Sequence, residues 1–330
     1  MFSMFEGYST ARYAGPVSDH FDGKRFVNQQ SDASARLTHI VRRAITARLK
    51  LRRDYRHIEP GSPPPRRIGH GDLRVTFVNH ATVLIQMDGL NILTDPVWSL
   101  RVGPVSWAGP ERVRPPGLRF EDLPPIHAVL ISHNHYDHMD IGTLQRLWHA
   151  HKPRFVAGLG NGAIFEAAGM RGARELDWWQ GLALSRHVCV TSVPAHHFSA
   201  RGLRDRDRTL WNGFVLEGLS GVVYFAGDTG PGPHFAQIRR RHGRPRLALL
   251  PISPFRPEWF MSRVHLSPAG AVRAHHTLGA KTSVAIHYGT FRLGDEDPDE
   301  AVERLALAVE RDGDPRFVAL PFGQTHSVSA

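Results

Sequence analysis

The sequence predicts an α/β fold in which β-sheets are covered by helices on their outer faces. Short runs rich in β-branched and aromatic residues alternate with segments of helical periodicity, and the strand-forming runs come in hairpin groups. The first group is a meander formed by residues 74–79, 82–87 and 90–94. A chain of 330 residues, of which 41% are hydrophobic, is long and apolar enough to bury a sizeable core.

The same periodicities place the remaining elements along the chain. Further strands are predicted over residues 127–132, 187–195, 213–218, 221–228, 247–253 and 282–289. Helices are predicted over residues 34–53, 141–150, 160–169, 233–241, 267–278 and 298–311.

Residues 1–70 are predicted to form an N-terminal arm, and residues 71–330 the main domain. Within the arm, residues 34–53 predict a basic amphipathic helix, and the proline-rich residues 61–67 predict a linker. The arm holds 13 Lys or Arg against 6 Asp or Glu, a net charge of +7 out of +10 for the whole chain. The main domain is therefore nearly neutral, which argues against a groove that binds nucleic acid.

The cysteine content and the lack of long apolar runs also bear on the cellular compartment of the protein. Cys189 is the only cysteine, so no intrachain disulfide can form, which fits a reducing compartment. The sequence has no apolar run of roughly 18 residues and no signal-peptide pattern at its start. We therefore expect a cytoplasmic protein. The basic helix over residues 34–53 either lies on an anionic membrane surface or packs on the protein itself, and the sequence leaves both open.

Four side chains of metal-binding type are concentrated in the segment SHNHYDHMD, residues 132–140, directly after a predicted buried strand. Backbone that is still extended would point His133 and His135 to the same side, while Asp137 and His138 lie where the chain turns into the next helix. Imidazole nitrogens and carboxylate oxygens are good ligands for zinc and other divalent transition ions. The segment therefore predicts one point served by two imidazoles and a neighbouring point served by a carboxylate and an imidazole, as in two-metal hydrolytic centres.

Additional candidate ligands follow later predicted strands. These are His196 or His197 in VPAHHF, Asp228 in YFAGDTG and His287 in VAIHYGTF. A single histidine after a strand is more often structural than a ligand. Together, and in this order, the three segments predict the remaining ligands of a dinuclear centre.

The pattern H-x-H-x-D-H followed by a later His, an Asp and a final His resembles the metallo-β-lactamase superfamily. The likeness runs from about residue 72 to residue 325, and within the superfamily it is greatest to the N-acylphosphatidylethanolamine-hydrolysing phospholipase D group and its bacterial relatives. The segments that carry this second resemblance are residues 94–115, 123–140, 224–230, 255–272 and 285–291. The resemblance implies a four-layer αβ/βα sandwich with the metals at one edge, between the two sheets.

The resemblance also implies a role for each candidate residue. His197 is preferred over His196, because the family pattern places a histidine three residues after a proline and before an aromatic residue. One metal would be held by His133, His135 and His197, the other by Asp137, His138 and His287, and Asp228 would bridge them. Ligand type suits two zinc ions best, with iron or manganese as alternatives.

Three more residues match family positions near the metals. His265 would orient the phosphate or assist the departure of the negatively charged leaving group. A histidine at the start of a helix that caps a turn is an equally good interpretation. His80 and Asp95 are expected to support ligands from behind rather than to bind metal.

The function that follows from the resemblance is that of a metal-dependent phosphodiesterase of phospholipase D type, acting on an N-acylated or other phospholipid headgroup. Asp137 and Asp228 would orient a metal-bridging hydroxide that attacks phosphorus. The alternatives are a lactonase or another hydrolase of a small soluble substrate, a nuclease, and a non-catalytic membrane-binding protein with a relic site. The oligomeric state is left open. Five tryptophans either line an apolar entrance or belong to the core: Trp98, Trp107, Trp178, Trp179 and Trp259.

Overall fold

The computed structural model describes residues 12–29, 55–202 and 204–330, and these contain two seven-stranded mixed sheets. The first sheet has the order β14-β1-β2-β3-β4-β5-β6 and the second the order β13-β12-β11-β10-β9-β8-β7. The strands of the first sheet are β1 (Leu73–Asn79), β2 (Thr82–Met87), β3 (Leu90–Thr94), β4 (Ala128–Ile131), β5 (Arg154–Gly158), β6 (Arg174–Leu176) and β14 (Thr325–Ser327). Those of the second are β7 (Gly181–Ala183), β8 (Cys189–Val193), β9 (Gly213–Gly218), β10 (Gly221–Phe225), β11 (Leu247–Pro251), β12 (Thr282–Ile286) and β13 (Phe317–Val318).

Helices cover the outer faces of this pair of sheets. They are α1 (Ile141–His151), α2 (Gly162–Ala167), α3 (His234–His242), α4 (Glu258–Met261), α5 (Pro268–Leu278) and α6 (Glu300–Asp312). Helix α5 shows why they begin and end where they do. Its first turn is capped by Ser267, whose side chain accepts a hydrogen bond from the Gly270 N–H, and it ends at Gly279, which takes a φ of 62°.

The alternation of side chains along the strands produces the layers. In β2, Val83 and Ile85 face the second sheet and join the core between the sheets, where they lie with residues such as Phe214 of β9. Leu84 faces the other way and packs in a second core with Leu144 of α1. Because both faces of β2 are covered, the strand is buried along its whole length. The predicted sandwich of two sheets with helices outside is thus confirmed.

The predicted elements within the described residues are all present, with ends that differ by a few residues. The predicted strands over 221–228 and 282–289 end at Phe225 and Ile286, because the chain leaves the sheet there to present polar side chains. The predicted helix over 160–169 covers only Gly162–Ala167. The sequence patterns did not predict six short elements, namely β5, β6, β7, β13, β14 and α4.

Two parts of the N-terminal arm are described. Residues 12–29, here called the N-terminal strap, pack on the main domain through Phe21 and Phe26, which are buried with Trp178 and Trp211. The proline-rich segment 61–67 is also held in place: Pro65 accepts a hydrogen bond from the Gln86 side chain, and the Gly61 N–H donates to the Gly117 carbonyl. The predicted basic helix over residues 34–53 lies outside the described residues. Every helix in the described ranges is too short or too polar to span a lipid bilayer.

Candidate metal centre

Strand β4 delivers the ligand loop, residues 132–140, at the edge of the first sheet. The Ser132 N–H donates to Asp95 Oδ1 at 2.7 Å, which fixes the point where the loop begins. The N–H groups of His138 and Met139 both donate to the His135 carbonyl, so the chain makes a tight turn before α1. This turn brings the side chains at both ends of the loop to one side of it.

The seven side chains that the sequence singled out as ligands lie together at the ends of four strands. Ligand atoms of His133, His135, His197 and Asp228 lie within 4.8 Å of one another. So do those of a second group, His80, Asp137, His138 and His287. Five of the seven are buried, while His135 and Asp137 are partly exposed and mark the solvent side.

Asp228 lies between the two groups. Its Oδ2 is 3.6 Å from His197 Nε2 and 3.3 Å from His138 Nε2, and its Oδ1 is 3.1 Å from His287 Nε2. Gly227 makes this position accessible, because its φ of 59° and its missing side chain let the end of β10 approach the end of β4. A Cβ at Gly227 would lie 2.5 Å from the Ser132 Cβ.

Hydrogen bonds on the outer ring nitrogens orient three of the histidines. His197 Nδ1 donates to the Val264 carbonyl at 2.9 Å, and His138 Nδ1 donates to Asp95 Oδ2 at 2.7 Å. The Ser132 hydroxyl donates to Asp95, which leaves its oxygen to accept from His133 Nδ1 at 2.9 Å. In each case the proton sits on Nδ1, so Nε2 directs a lone pair into the cluster.

The inner atoms of the cluster fit divalent cations. His133 Nε2 lies 2.7 Å from His135 Nδ1, and His138 Nε2 lies 3.1 Å from His287 Nε2. Two facing lone pairs at these distances would repel each other, and a positive charge between the nitrogens, either a proton or a metal ion, removes that repulsion. Asp228 Oδ1 is buried and accepts no hydrogen bond from the described residues. Cations satisfy the facing nitrogens and this oxygen together.

The pKa values of the histidines in the cluster also favour the binding of cations. Burial lowers the pKa of His135 to about 3 and that of His197 to about 4, which keeps both imidazoles neutral at pH 7, as ligation requires. Burial also opposes protonation of His287, but Asp228 and Asp137 outweigh it and raise its pKa to about 9. The two carboxylates therefore draw positive charge to the point where the second group converges.

His80 and Asp95 both contact candidate ligands, and His80 is itself a member of the second group. His80 Nε2 lies 2.9 Å from Asp137 Oδ2, and the His287 N–H donates to the His80 carbonyl at 2.7 Å. His80, Asp95 and His287 have φ values of 48°, 34° and 63°, a region that residues with side chains seldom occupy. Such backbone strain is concentrated at functional sites, where the surrounding structure maintains it.

The structure also places the two remaining histidine candidates. His196 turns away from the cluster, with Nδ1 2.9 Å from the Pro231 carbonyl, so His197 is the member of the pair that joins the ligands. His265 Nδ1 lies 3.8 Å from Asp228 Oδ2, buried and without a hydrogen bond to any described residue. It therefore faces the cluster and does not cap the following helix, a task that Ser267 performs.

A cavity of about 450 Å³ opens beside the ligand loop, lined among others by Arg101, Val102, Tyr136 and Arg201. Of the five tryptophans, Trp98, Trp178 and Trp179 pack in or against the core. Trp107 and Trp259 are exposed, by 77% and 61%.

Sequence patterns missed three residues that hold the ligands. Ser132 links Asp95 to His133, as described above. The Arg201 guanidinium donates from Nη1 to the carbonyls of Asn134 and Met139 at 2.8 and 2.9 Å, which ties together the two ends of the ligand loop. Asn28, in the N-terminal strap, contacts the backbone of His197. All three act through the main chain of residues distant in sequence or through a network, so no spacing rule marks them.

This fold and this cluster define a class of protein, and comparison with known families agrees. Residues 90–288 match the family model described as "Beta-lactamase superfamily domain", and the chain belongs to this superfamily as a metal-dependent hydrolase. It is 41% identical over 254 residues to the uncharacterized protein Rv0906 of Mycobacterium tuberculosis, and the aligned region covers 76% of this chain and 67% of the relative.

A second relative carries a functional name. The chain is 34% identical over 272 residues to the N-acyl-phosphatidylethanolamine-hydrolyzing phospholipase D 1 of Caenorhabditis elegans, with 78% of this chain and 76% of the relative covered. The resemblance to this group is thus confirmed. Among solved structures, the metallo hydrolase Igni18 of Ignicoccus hospitalis superimposes with a TM-score of 0.58 at 21% identity, over 78% of this chain and 99% of that one. That likeness supports the fold.

Proposed function

We propose that this protein is a dinuclear metal-dependent phosphodiesterase of phospholipase D type that cleaves the headgroup from an N-acylated or related phospholipid. The observation that carries the proposal is the position of Asp228, whose two oxygens lie against both ligand groups. A shared carboxylate is what a pair of adjacent ions requires. The choice of a phosphodiester is supported by the name of the Caenorhabditis elegans relative.

The residues would divide between two ions. His133, His135 and His197 would hold one, and Asp137, His138 and His287 the other, with Asp228 shared. The five imidazoles and two carboxylates suit zinc best, and iron or manganese form similar sites. Two bound divalent ions supply the acidity that ionises water at neutral pH and the positive charge that stabilises a phosphoryl transition state.

The chain's own groups complete the chemistry. Asp137 and Asp228 bring negative charge to the centre and can hold a water by hydrogen bonds on the partly exposed side. His80 fixes Asp137 through the 2.9 Å contact described above. His265 lies on the Asp228 side of the cluster, where its Nδ1 can orient a phosphate oxygen or assist the departing alkoxide. We expect no covalent intermediate, because Ser132, the serine that contacts the candidate ligands, is buried and its hydroxyl is bound between Asp95 and His133.

The substrate is expected to be a lipid or another small phosphodiester. The basic residues 34–53, a segment outside the described residues, would either contact the membrane or pack on the protein itself. Residues 71–330 are nearly neutral and so lack the excess of positive charge that is typical of a domain that binds nucleic acid.

The test is elemental analysis of the purified protein, coupled to hydrolysis of bis-p-nitrophenyl phosphate and of N-acylphosphatidylethanolamine vesicles before and after chelation. We expect two divalent ions per chain and phosphodiesterase activity that is lost with them and restored by zinc. His135→Ala and Asp228→Ala should abolish turnover while the fold is retained.

His196→Ala is the matched control for His197→Ala, because its ring faces Pro231 and not the cluster. We expect His196→Ala to keep both ions and His197→Ala to lose one. Rapid cleavage of simple lactones without phosphodiesterase activity would replace the proposal by a lactonase. Wild-type rates in Asp228→Ala would refute it.

A further inference from the structure

The N-terminal strap is anchored close to the metal cluster. Its Phe21 and Phe26 side chains are each only 1% exposed, and they pack with Trp178, Leu210 and Trp211. Its backbone is tied at two points, by the Tyr13 N–H to the Arg208 carbonyl and by the Phe26 N–H to the Asp207 carbonyl. The strap therefore has a defined path, which ends beside β8 and the segment that carries His197.

Asn28 uses its whole carboxamide to hold that segment. Its Oδ1 accepts from the His197 N–H at 3.1 Å and from Trp211 Nε1 at 2.9 Å. Its Nδ2 donates to the His197 carbonyl at 3.0 Å. Strand β8 ends at Val193, so His197 lies beyond the sheet ladder. The carboxamide of Asn28 thus bonds the main chain of His197 on both its donor and its acceptor, as a neighbouring strand would.

These contacts restrict the direction of the His197 ring. Asn28 fixes the backbone, and the Val264 carbonyl accepts from Nδ1 at 2.9 Å. With both ends held, Nε2 points into the cluster, 3.4 Å from His135 Nδ1 and 3.6 Å from Asp228 Oδ2. The Val264 contact alone would leave the ring free to follow any shift of its own backbone.

We propose that Asn28 is a positioning residue for the metal ion assigned to His133, His135 and His197, so that the N-terminal strap is part of the metal centre. The inference rests on the proposed dinuclear site. The alternative is a purely structural role, in which the strap only covers the apolar surface of Trp178 and Trp211. In that case, any substitution that loosens the strap would weaken metal binding to the same extent.

The test compares Asn28→Ala and Asn28→Asp with Phe21→Leu in the full-length protein. Phe21→Leu weakens the packing of the strap without touching His197. Each metal-free protein is titrated with Co²⁺, and the visible absorption of the bound cobalt and the stoichiometry are followed. For Asn28→Ala we expect one of two cobalt equivalents to bind about 10-fold or more weakly, the size typical of losing a group that orients a ligand.

Asn28→Asp keeps the acceptor for the His197 N–H and the Trp211 indole but loses the donor to the His197 carbonyl. We expect intermediate affinity, and this variant also serves if Asn28→Ala does not fold. Phe21→Leu should bind both equivalents nearly as the wild type does, with a lower Tm.

The outcomes separate the two proposals. Wild-type protein that binds two cobalt ions, together with Asn28 variants that bind both with unchanged affinity, would overturn the role of Asn28 alone. Equal weakening in Phe21→Leu and Asn28→Ala would do the same. A wild type that binds a single ion would overturn the dinuclear site, while weaker binding of that ion in Asn28→Ala would still support the positioning role. A wild type that binds none overturns both.

Discussion

His138 Nδ1 lies 2.7 Å from Asp95 Oδ2, and neither side chain has any exposed surface. Asp95 also accepts from the Ser132 N–H and hydroxyl, so one carboxylate fixes a ligand of each group, His138 directly and His133 through Ser132. This carboxylate therefore lies behind both groups of candidate ligands.

Asp95→Asn should weaken metal binding without unfolding the protein. The amide has nearly the same shape, but if its oxygen keeps the contacts that Oδ2 makes with the Ser132 hydroxyl and His138, its NH2 group replaces Oδ1 and faces the Ser132 N–H, a donor against a donor. We expect about 10- to 100-fold weaker binding of at least one ion, the range typical of such supporting groups. Isothermal titration of the metal-free protein with Zn²⁺ measures this. Asp122→Asn, on the surface and paired with Arg119, is the control and should bind as the wild type does.

Gly227→Ala should lower both stability and metal affinity. Its φ of 59° disfavours any side chain, and the new Cβ would lie 2.5 Å from the Ser132 Cβ. We expect a loss of about 1–3 kcal/mol in the free energy of unfolding. Thermal unfolding with and without excess zinc is the measurement. Gly169→Ala is the matched control, because Gly169 has a φ of 81° with nothing within 4 Å of its Cβ position. If both variants lost the same stability, the close approach to Ser132 would not matter.

His265→Ala should separate catalysis from metal binding. The imidazole faces Asp228 but belongs to neither ligand group. We therefore expect two ions per chain and a kcat for bis-p-nitrophenyl phosphate reduced roughly 100-fold or more, as is typical when a group acting on the reacting atoms is removed. Metal content and steady-state kinetics check this together. Loss of an ion in the variant would instead make His265 a ligand.

The strap should become less stable as the pH rises through the pKa of His20. This ring lies 2.6 Å from Asp19 Oδ1 and 2.7 Å from Asp177 Oδ1, and it stacks on Trp178. Burial opposes the charge, but Asp177 and Asp19 outweigh it and raise the pKa above its usual 6.5. The stabilisation is therefore complete below pH 6.5 and is lost as the pH rises through the higher folded-state value.

Limited proteolysis at Lys24 and Arg25 reports the release of the strap. Between pH 6 and pH 9 we expect cleavage of the wild type to accelerate relative to a peptide standard. His20→Gln should show faster cleavage at pH 6 and little further change. His57→Gln, at an exposed site, should behave as the wild type does. A wild type whose relative cleavage rate stays constant over this range would contradict the assignment.

The parts of the site that sequence predicted are those with local patterns. Thr82–Met87 is predicted as a strand by its short apolar run, whose side chains cover both faces of the strand, and the ligand loop concentrates its candidate ligands within a few residues of β4. Strand β14 was missed because its sequence, THS, is polar and short, and it forms only through pairing with β1. Spacing alone could not choose between His196 and His197, since the choice depends on which ring the Val264 and Pro231 carbonyls orient.

The ends of β4, β8, β10 and β12 each contribute to the cluster, and His287 is the last of these ligands to be synthesised. A nascent chain can therefore gather an incomplete set of donors but cannot balance Asp137 and Asp228 with a full pair of cations until β12 has joined the second sheet. Metal uptake would then be a late event in maturation, and a chain starved of cations would balance the buried Asp228 only through protonated histidines such as His287, which would leave the centre less stable and more open to proteolysis. Ion availability during synthesis would then set how much mature protein accumulates.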